Sequence, residues 1–241
     1  MLSKEFDQLI QSRRSNRKFD ANVDVPNEVI KKSLERAILS PNSSNMQLWE
    51  FYWESKTENM QEWGKLCLGQ SAATTAKHLV VFVTRQDLWK ERAAFNLAQI
   101  KKQANGDETS KMIKRGIQYY AKLMPLLYRQ DPFGFFTMIR KAMCFFMGFN
   151  KPFMKFGGKA DQRVMVHKSC ALAAQTFMLS ITAEGFDTCP MEGFDRDRVH
   201  KYLKLPNGAE INMIIAVGKG TPGGIYGERY RLPYEEVVFE I

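Results

Sequence analysis

Apolar side chains recur every three or four positions in residues 4–14 and 25–39, which predicts two amphipathic helices. Residues 48–53 (LWEFYW) and 78–84 (HLVVFVT) are runs of aromatic and β-branched side chains and predict two strands. The second run is apolar enough to lie at the centre of a sheet. Residues 164–185 are apolar on nearly every face, so they predict a long buried helix that ends at a glycine.

Shorter predicted elements fill the rest of the chain. They are a helix over 59–69, a short strand and turn over 187–195, a helix over 195–205, a core strand over 210–220, and a strand-like end to the tail 229–241. From 86 to 163 the pattern is mostly helical, with breaks near 105–106, 131–132 and 151–152. No internal repeat is visible.

The chain has 241 residues, 44% of them hydrophobic and 25% charged, which is ordinary for one globular domain spanning 1–241. Its four cysteines are widely spread without a CxxC pair, so neither a disulfide framework nor a metal site is expected. The first ten residues carry charges and lack the apolar core of a signal peptide. These features predict a reduced, cytoplasmic setting.

The net charge of +9 is concentrated in residues 101–160, which hold 12 Lys/Arg against 3 Asp/Glu. The same segment holds 11 of the 29 aromatic residues and 6 of the 13 methionines. We therefore interpret residues 101–160 as a basic, Phe/Met-rich helical insert. Its longest uncharged apolar stretch is far below the roughly 20 residues of a membrane-spanning helix.

Four interpretations of the insert stay open. It could form a lid that selects an apolar or anionic substrate, because methionine adapts to varied ligands. It could contact an anionic membrane peripherally through residues 131–158. Its aromatic residues could pack in a core or dimer interface while the lysines stay solvated. Nucleic-acid binding is disfavoured, because excess charge alone is only an electrostatic footprint.

Residues 218–223 (GKGTPG) match the GxGxxG pattern and follow a predicted strand. A dinucleotide fingerprint must open a helix, however, whereas Pro222, Gly223 and Gly224 continue a loop here. The three histidines, at positions 78, 167 and 200, stand apart from one another and favour structural roles. We therefore expect no catalytic side-chain constellation of the protease or hydrolase kind.

Four separated segments carry groups suited to an anionic ligand. RRSNRKF (13–19) places arginines and a serine at a helix-to-loop junction. SPNSSNMQLWEF (40–51) offers small hydrogen-bonding side chains after a helix, and CPMEGFD (189–195) a glycine turn with exposed N–H groups. RYR (229–231) places two arginines on one side of an extended segment.

In this order and at these separations, the four segments resemble the FMN-dependent nitroreductase family and its flavin reductase relatives. That family's patterns are RRSxRxF, SPSSxNxQPWxF, a CPxxGF turn after a long helix, and a late KxRLPxxEVV tail. The resemblance covers nearly the whole chain except about residues 100–160. It implies an α+β, three-layer α/β/α fold with a mainly antiparallel mixed sheet, a long central helix and an intertwined homodimer.

The resemblance also implies which residues bind the cofactor. The FMN phosphate is expected to contact Arg13, Arg14, Ser15, Arg229 and Arg231, and Arg17 to lie near the ribityl chain and pyrimidine edge. The resemblance also places four residues along the isoalloxazine ring, with a main-chain N–H of Glu192 or Gly193 reaching N5: Pro190, Met191, Glu192 and Gly193. It assigns four more residues to the flavin site of the second chain: Pro41, Asn42, Ser43 and Asn45.

The chain departs from the family pattern in three places. Leu48 replaces the family's proline, and Asn42 replaces a serine. In some members, an Asn and a Lys before the second strand contact the pyrimidine end of the flavin. This chain has GQSAATTAKH at that place, and no role is assigned to its Gln70. The third departure is the insert itself.

By resemblance, the expected function is electron transfer from NADH or NADPH through FMN to a nitroaromatic, quinone or enone in a ping-pong mechanism. The flavin then carries the chemistry, so no catalytic side chain and no metal is expected. Reductive dehalogenation or other flavin chemistry on the same fold is the alternative within enzymes. A basic membrane- or nucleic-acid-associated protein with a vestigial flavin site is the alternative outside them. The long apolar helix also favours a dimer, and the less favoured alternative is that it is the core helix of a monomer.

Overall fold

The structure is a computed structural model that describes residues 2–130, 133–154 and 158–241. Its strands are β1 (Trp49–Glu54), β2 (His78–Arg85), β3 (Asp187–Met191) and β4 (Ala209–Gly218). Its helices are α1 (Leu2–Ser12), α2 (Asn27–Ala37), α3 (Met60–Leu66), α4 (Ser71–Thr75), α5 (Trp89–Ala104), α6 (Lys111–Gln118), α7 (Met124–Tyr128), α8 (Phe135–Met147), α9 (Lys159–Ala183), α10 (Arg196–Tyr202) and α11 (Tyr234–Val237).

The four strands form one sheet in the order β1-β2-β4-β3, and every neighbouring pair is antiparallel. A parallel pairing occurs in the described chain as an isolated bridge between Ser15 and Thr188. Every residue of β2 is buried, which confirms its predicted central place. The mainly antiparallel sheet and the α+β class are likewise confirmed.

Alternate side chains of β2 enter two separate cores. Val80 and Phe82 pack with α2 and α9, whereas Leu79 and Val81 pack with α3, α4 and α10 on the opposite face. Both faces of this strand are covered by helices, which explains its continuous apolar run. The result is the expected three-layer arrangement of helix, sheet and helix.

Helix α9 is the longest element and the centre of one helical layer. The N–H of Gly158 donates to the Asp161 carboxylate at 2.9 Å before its first turn, and Gly185, with φ of +84°, lies just beyond its last. By length and composition α9 could cross a membrane, yet half of its most apolar stretch is buried against the sheet and α2. Val164 and Leu172 are about half exposed, so a single chain buries only one face of this helix.

The described residues between 86 and 154 are mostly helical, as predicted. Helices α5 and α6 are separated by a turn in which Asn105 has φ of +46°. A π-helical turn, Tyr119–Leu123, joins α6 to α7. The predicted break at 151–152 lies after α8, and the one at 131–132 lies outside the described residues.

The prediction of a strand-like end to the tail is wrong for the single chain. Helix α11 occupies Tyr234–Val237, and the remaining residues from 232 to 241 are exposed and pair with no strand in the described residues. An extended segment becomes a strand only when its N–H and C=O groups meet a sheet edge. The apolar pattern Val237, Val238 and Phe239 alone does not supply one.

Candidate functional site

The segment after α1 runs beside β3 and the loop that follows β4. The main-chain N–H of Asn16 donates to Thr188 at 3.0 Å, and that of Arg17 donates to Gly224 at 2.7 Å. A bridge also joins Phe19 to Gly220. Because these hydrogen bonds join positions about 170–210 residues apart, they bring RRSNRKF against both the strand that leads into CPMEGFD and the loop that leads into RYR.

Asn16 is the packing centre of this junction. Its side chain is buried, its Nδ2 donates to the carbonyl of Thr221 at 3.2 Å, and its Oδ1 accepts the N–H of Lys18 at 3.2 Å. A Cβ on Gly220 would lie 1.9 Å from Asn16 Nδ2, and one on Gly224 would lie 1.8 Å from Asn16 Oδ1. These glycines are therefore required for packing.

The GKGTPG segment thus has a packing role, which agrees with the rejection of a dinucleotide-binding fingerprint. Gly218 packs against the ring of Phe19, and a Cβ added at Gly218 would lie 2.6 Å from a carbon of that ring. The segment continues into a short 3₁₀ turn, Pro222–Gly224, and then into a loop. A dinucleotide fingerprint needs a helix N-terminus at this point.

Arg229 ties the tail to the end of α1. Its guanidinium donates to the carbonyl oxygen of Arg13 at 2.6 Å and to that of Gln11 at 3.1 Å. Arg14 in turn donates to the carbonyl oxygen of Gly227 at 2.9 Å. The basic segment after α1 and the RYR segment therefore hold each other in place, and the two arginine groups meet as the resemblance implies.

These arginines form a cluster of like charge. Burial, followed by repulsion from Arg229, Arg231 and Arg14, lowers the pKa of Arg13. In the part of the chain that the structure describes, no carboxylate lies within ion-pair distance of these four guanidinium groups. Such a cluster has the chemistry to bind an anion with several oxygens, because charge-assisted hydrogen bonds would offset the mutual repulsion.

Arg17 lies between the cluster and the CPMEGFD turn. Its guanidinium stands 5.0 Å from the ring centre of Tyr226, a cation–π contact. Burial raises the pKa of the Cys189 thiol, and the positive charge of Arg17 acts in the opposite direction. Arg17 is therefore electrostatically coupled to the residue that precedes Pro190.

The turn at 190–193 follows directly from β3. Met191 is buried in the core and pairs with β4, whereas Glu192 and Gly193 are exposed. The side-chain amide of Gln70 donates to the carbonyl oxygen of Gly193. The N–H of Asp195 also donates to Leu66 at 2.8 Å. The loop after α3 thus supports the turn, a role for Gln70 that no local sequence signal indicates.

Residues 41–45 lie in a different place, against α9 and α5. The N–H of Ser43 donates to Ser169 at 3.2 Å, and Asn96 donates to the carbonyl oxygen of Asn45 at 2.7 Å. Asn42 accepts the N–H of Gln47 at 2.8 Å. Within the described residues, none of the hydrogen bonds of this loop reaches residues 13–17 or 190–193.

Two clefts also lie outside the arginine cluster. A groove of about 570 Å³ separates Pro41, Asn42 and Ser43 from the exposed face of α9. A cleft of about 810 Å³ lies between α5, α7 and the start of α9 and is lined by Trp89 and Tyr128. None of the described residues that line these two clefts belongs to the arginine cluster or to the 190–193 turn.

Two histidines serve the packing of the fold. His78 accepts the indole N–H of Trp53 on Nδ1 at 3.2 Å, and its Nε2 lies 2.8 Å from the carbonyl oxygen of Val25. His167 lies 3.4 Å from Glu210, which also pairs with Arg163. Among the described residues, no cluster of three or more His, Cys, Asp and Glu side chains could hold a metal.

Comparison with known proteins agrees with this arrangement. A sequence model described as the nitroreductase family matches residues 10–219. MhqN of Bacillus subtilis, provisionally named an NAD(P)H nitroreductase, is 23% identical over 234 residues that cover 97% of this chain and 98% of MhqN.

Solved structures share the fold at lower sequence identity. YdfN of Bacillus subtilis, provisionally described as a nitroreductase, superposes with a TM-score of 0.77 at 21% identity and covers 99% of this chain and 100% of its own. A protein of Exiguobacterium sibiricum, also provisionally described as a nitroreductase and solved in complex with FMN, gives 0.67 at 20% identity over 98% and 97% of the two chains.

Proposed function

Because this chain belongs to the nitroreductase family, we propose that it is an FMN-dependent oxidoreductase that passes electrons from NADH or NADPH to an electron-poor organic acceptor. The observation that carries the proposal is the convergence of Arg13 and Arg14 with Arg229 and Arg231, beside the turn at 190–193. More than 200 residues of sequence separate the two arginine pairs.

The donor set suits the phosphate of FMN. A phosphate monoester is close to doubly negative near pH 7, and several guanidinium groups can share its oxygens through charge-assisted hydrogen bonds. Arg13 and Arg14 are half-buried at the end of α1, Arg231 is exposed beside them, and the Ser15 hydroxyl is on the same segment. No carboxylate competes for these groups among the described residues. We assign the phosphate to this cluster.

The remainder of the proposed site orients the ring. Arg17 supplies positive charge next to Cys189 and Pro190, where it would stabilise a reduced, anionic ring. The exposed main chain of Glu192 and Gly193 offers N–H donors along one edge, and Gln70 fixes that turn from behind. When bound, FMN would supply the redox chemistry by taking up hydride and releasing electrons, so no catalytic histidine or cysteine is required.

We also propose a homodimer in which residues 41–45 complete the site of the partner. The support is geometric. The loop lies along the exposed side of α9, where Val164 and Leu172 are about half exposed beside the groove. A second chain that covered this side would bury the other face of an apolar helix. Sedimentation equilibrium tests this proposal, and a monomer that retains FMN would contradict it.

The absorption spectrum of the purified protein gives a direct test of the proposed oxidoreductase function. The protein should be yellow, its visible flavin band should bleach on addition of NADH or NADPH, and nitroaromatics, quinones or enones should restore the band. Each acceptor class can be compared by steady-state rates with both nicotinamides. A colourless protein that fails to take up added FMN would overturn the proposal.

Arg231→Ala tests the phosphate assignment with little structural disturbance, because the Arg231 guanidinium donates its hydrogen bond to the carbonyl oxygen of the adjacent residue, Tyr230. Losing a charge-assisted hydrogen bond worth about 1.5–3 kcal/mol should weaken FMN binding roughly tenfold to a hundredfold. The matched control is Arg115→Ala, which removes the same charge from an exposed position on α6. Equal FMN affinity in the two variants would contradict the assignment.

A further inference from the structure

Helix α8 buries a charged side chain and exposes large apolar ones, which is the reverse of an ordinary surface helix. Its Arg140 side chain is only 3% exposed, whereas the large apolar side chains of Met138, Phe145 and Phe146 are 63–74% exposed. Phe149, just beyond the helix, is 78% exposed. A surface helix normally turns its apolar stripe towards the core and its cations towards water.

The buried arginine sets this orientation. Arg140 donates to the carbonyl oxygen of Arg129 at 2.7 Å and to that of Leu126 at 3.3 Å, at the C-terminal end of α7. The guanidinium of Arg129 in turn stands 4.7 Å from the ring centre of Phe136. These contacts attach one side of α8 to α7, so the opposite side, which carries the phenylalanines and methionine, faces outward.

The exposed side chains share one face of the helix. At 100° per residue, positions 138, 142, 145 and 149 fall within about 60° of one another, and 146 flanks them. Phe145 lies 5.5 Å from Phe146 and 6.4 Å from Phe149, measured between ring centres. The face is therefore a continuous apolar patch, and such patches on a surface mark interaction sites.

The charge around the patch has one sign. No Asp or Glu occurs between Asp131 and Asp161, and the exposed Lys141, Lys151 and Lys159 lie in the same interval. Helix α8 has 13 residues and is about 20 Å long, which is too short to cross a hydrocarbon layer of about 30 Å. An apolar face with cationic edges and no acidic residue complements an anionic lipid surface.

We propose that α8 docks peripherally on an anionic phospholipid bilayer, inserting Phe145, Phe146 and Phe149 among the acyl chains while Lys141 and Lys151 contact the headgroups. Pairing of this patch with the same patch of a second chain would bring lysines of like charge together. Nucleic acid would meet phenylalanine and methionine before it met the lysines. The proposal is independent of the flavin site, because α8 contributes none of the residues assigned to it.

Co-sedimentation of the FMN-loaded protein with vesicles tests the proposal. We expect binding to phosphatidylcholine mixed with phosphatidylglycerol, weaker binding to phosphatidylcholine alone, and loss of the difference at high salt. Phe145→Ser with Phe146→Ser, and separately Lys141→Glu with Lys151→Glu, should each lower the partition coefficient at least about tenfold. The matched controls are Phe95→Ser and Lys102→Glu, at exposed positions on α5.

Three results would overturn the proposal. They are an absence of binding to the mixed vesicles, equal binding to both vesicle types, and patch variants that partition like the controls. If the phenylalanine variant instead changes the sedimentation mass without changing vesicle binding, a second copy of the chain covers the patch. Measured FMN content in every variant separates these outcomes from a failure of the flavin assignment.

Discussion

The side-chain amide of Gln70 donates a hydrogen bond to the main-chain carbonyl oxygen of Gly193. Gln70 also donates to the carbonyl oxygen of Cys67 at 3.1 Å, so one amide joins the loop after α3 to the turn after β3. Glu192 and Gly193 are exposed, and the turn is also held by the pairing of β3 with β4 and by the hydrogen bond from the Asp195 N–H to Leu66. Its position therefore depends in part on a residue 123 positions earlier in the chain.

Gln70→Ala should loosen the turn without disturbing the core. Loss of a hydrogen bond of this kind costs about 0.5–1.5 kcal/mol, so FMN affinity should fall about twofold to tenfold if the turn contacts the ring. Fluorescence titration of the apoprotein with FMN measures the change. Gln61→Ala, at an exposed position on α3, is the matched control. An affinity equal to that of the control would show that the turn is positioned by other contacts.

Gly224→Ala should be strongly destabilising, because the added Cβ would lie 1.8 Å from the buried Asn16 side chain. Overpacking of this kind costs about 1–3 kcal/mol or more of the free energy of unfolding. The adjacent Gly223 offers a close control, since a Cβ there meets nothing within 4 Å. Urea unfolding should therefore separate the two variants, and equal midpoints would contradict the packing role of Gly224.

Stability should fall on acidification because of His78. Burial lowers the pKa of this imidazole below its ordinary value of 6.5, so the unfolded chain takes up the proton first. The resulting stabilisation is complete above pH 6.5 and is lost as the pH falls through the lowered pKa of the folded state. The free energy of unfolding should decline by up to about 1.4 kcal/mol per pH unit for each such histidine.

Urea unfolding between pH 5 and 7.5 measures this dependence, and His78→Gln identifies its source. The variant should show a shallower pH dependence than the original chain. Burial also lowers the pKa of His167, so some dependence with the same sign should persist. An unchanged slope in the His78 variant would exclude the assignment.

Phe177→Ala should open a cavity in the core between α9 and the sheet. Phe177 is fully buried, and its ring centre lies 5.5 Å from that of Phe82 on β2. Deleting such a ring costs about 3–5 kcal/mol of the free energy of unfolding. Phe95→Ala, which truncates a ring that is 53% exposed, should cost much less. Similar unfolding midpoints would place Phe177 outside the cooperative core.

The arginine cluster illustrates how far sequence patterns reach into the site. The resemblance of four short motifs to the family implies that the basic segment after α1 and the RYR segment meet, and Arg229 contacts the carbonyl oxygen of Arg13. The role of Gln70 was not predictable, because neither its neighbours nor its spacing indicates which carbonyl its amide reaches. The cofactor, the dimer and the contribution of residues 41–45 to a partner's site stay predictions.

By itself, the sequence determined most of the helices and strands, since apolar periodicity is a local property that each segment carries. The run from His78 to Arg85 became the central strand, and Lys159–Ala183 became the long helix beside it. Only the tertiary structure decided which segments meet. Asn16 lies between two glycines more than 200 positions away, and Arg140 turns the phenylalanines of α8 outward. Such choices depend on hydrogen-bond partners and packing space that folding brings together, and no local pattern records them.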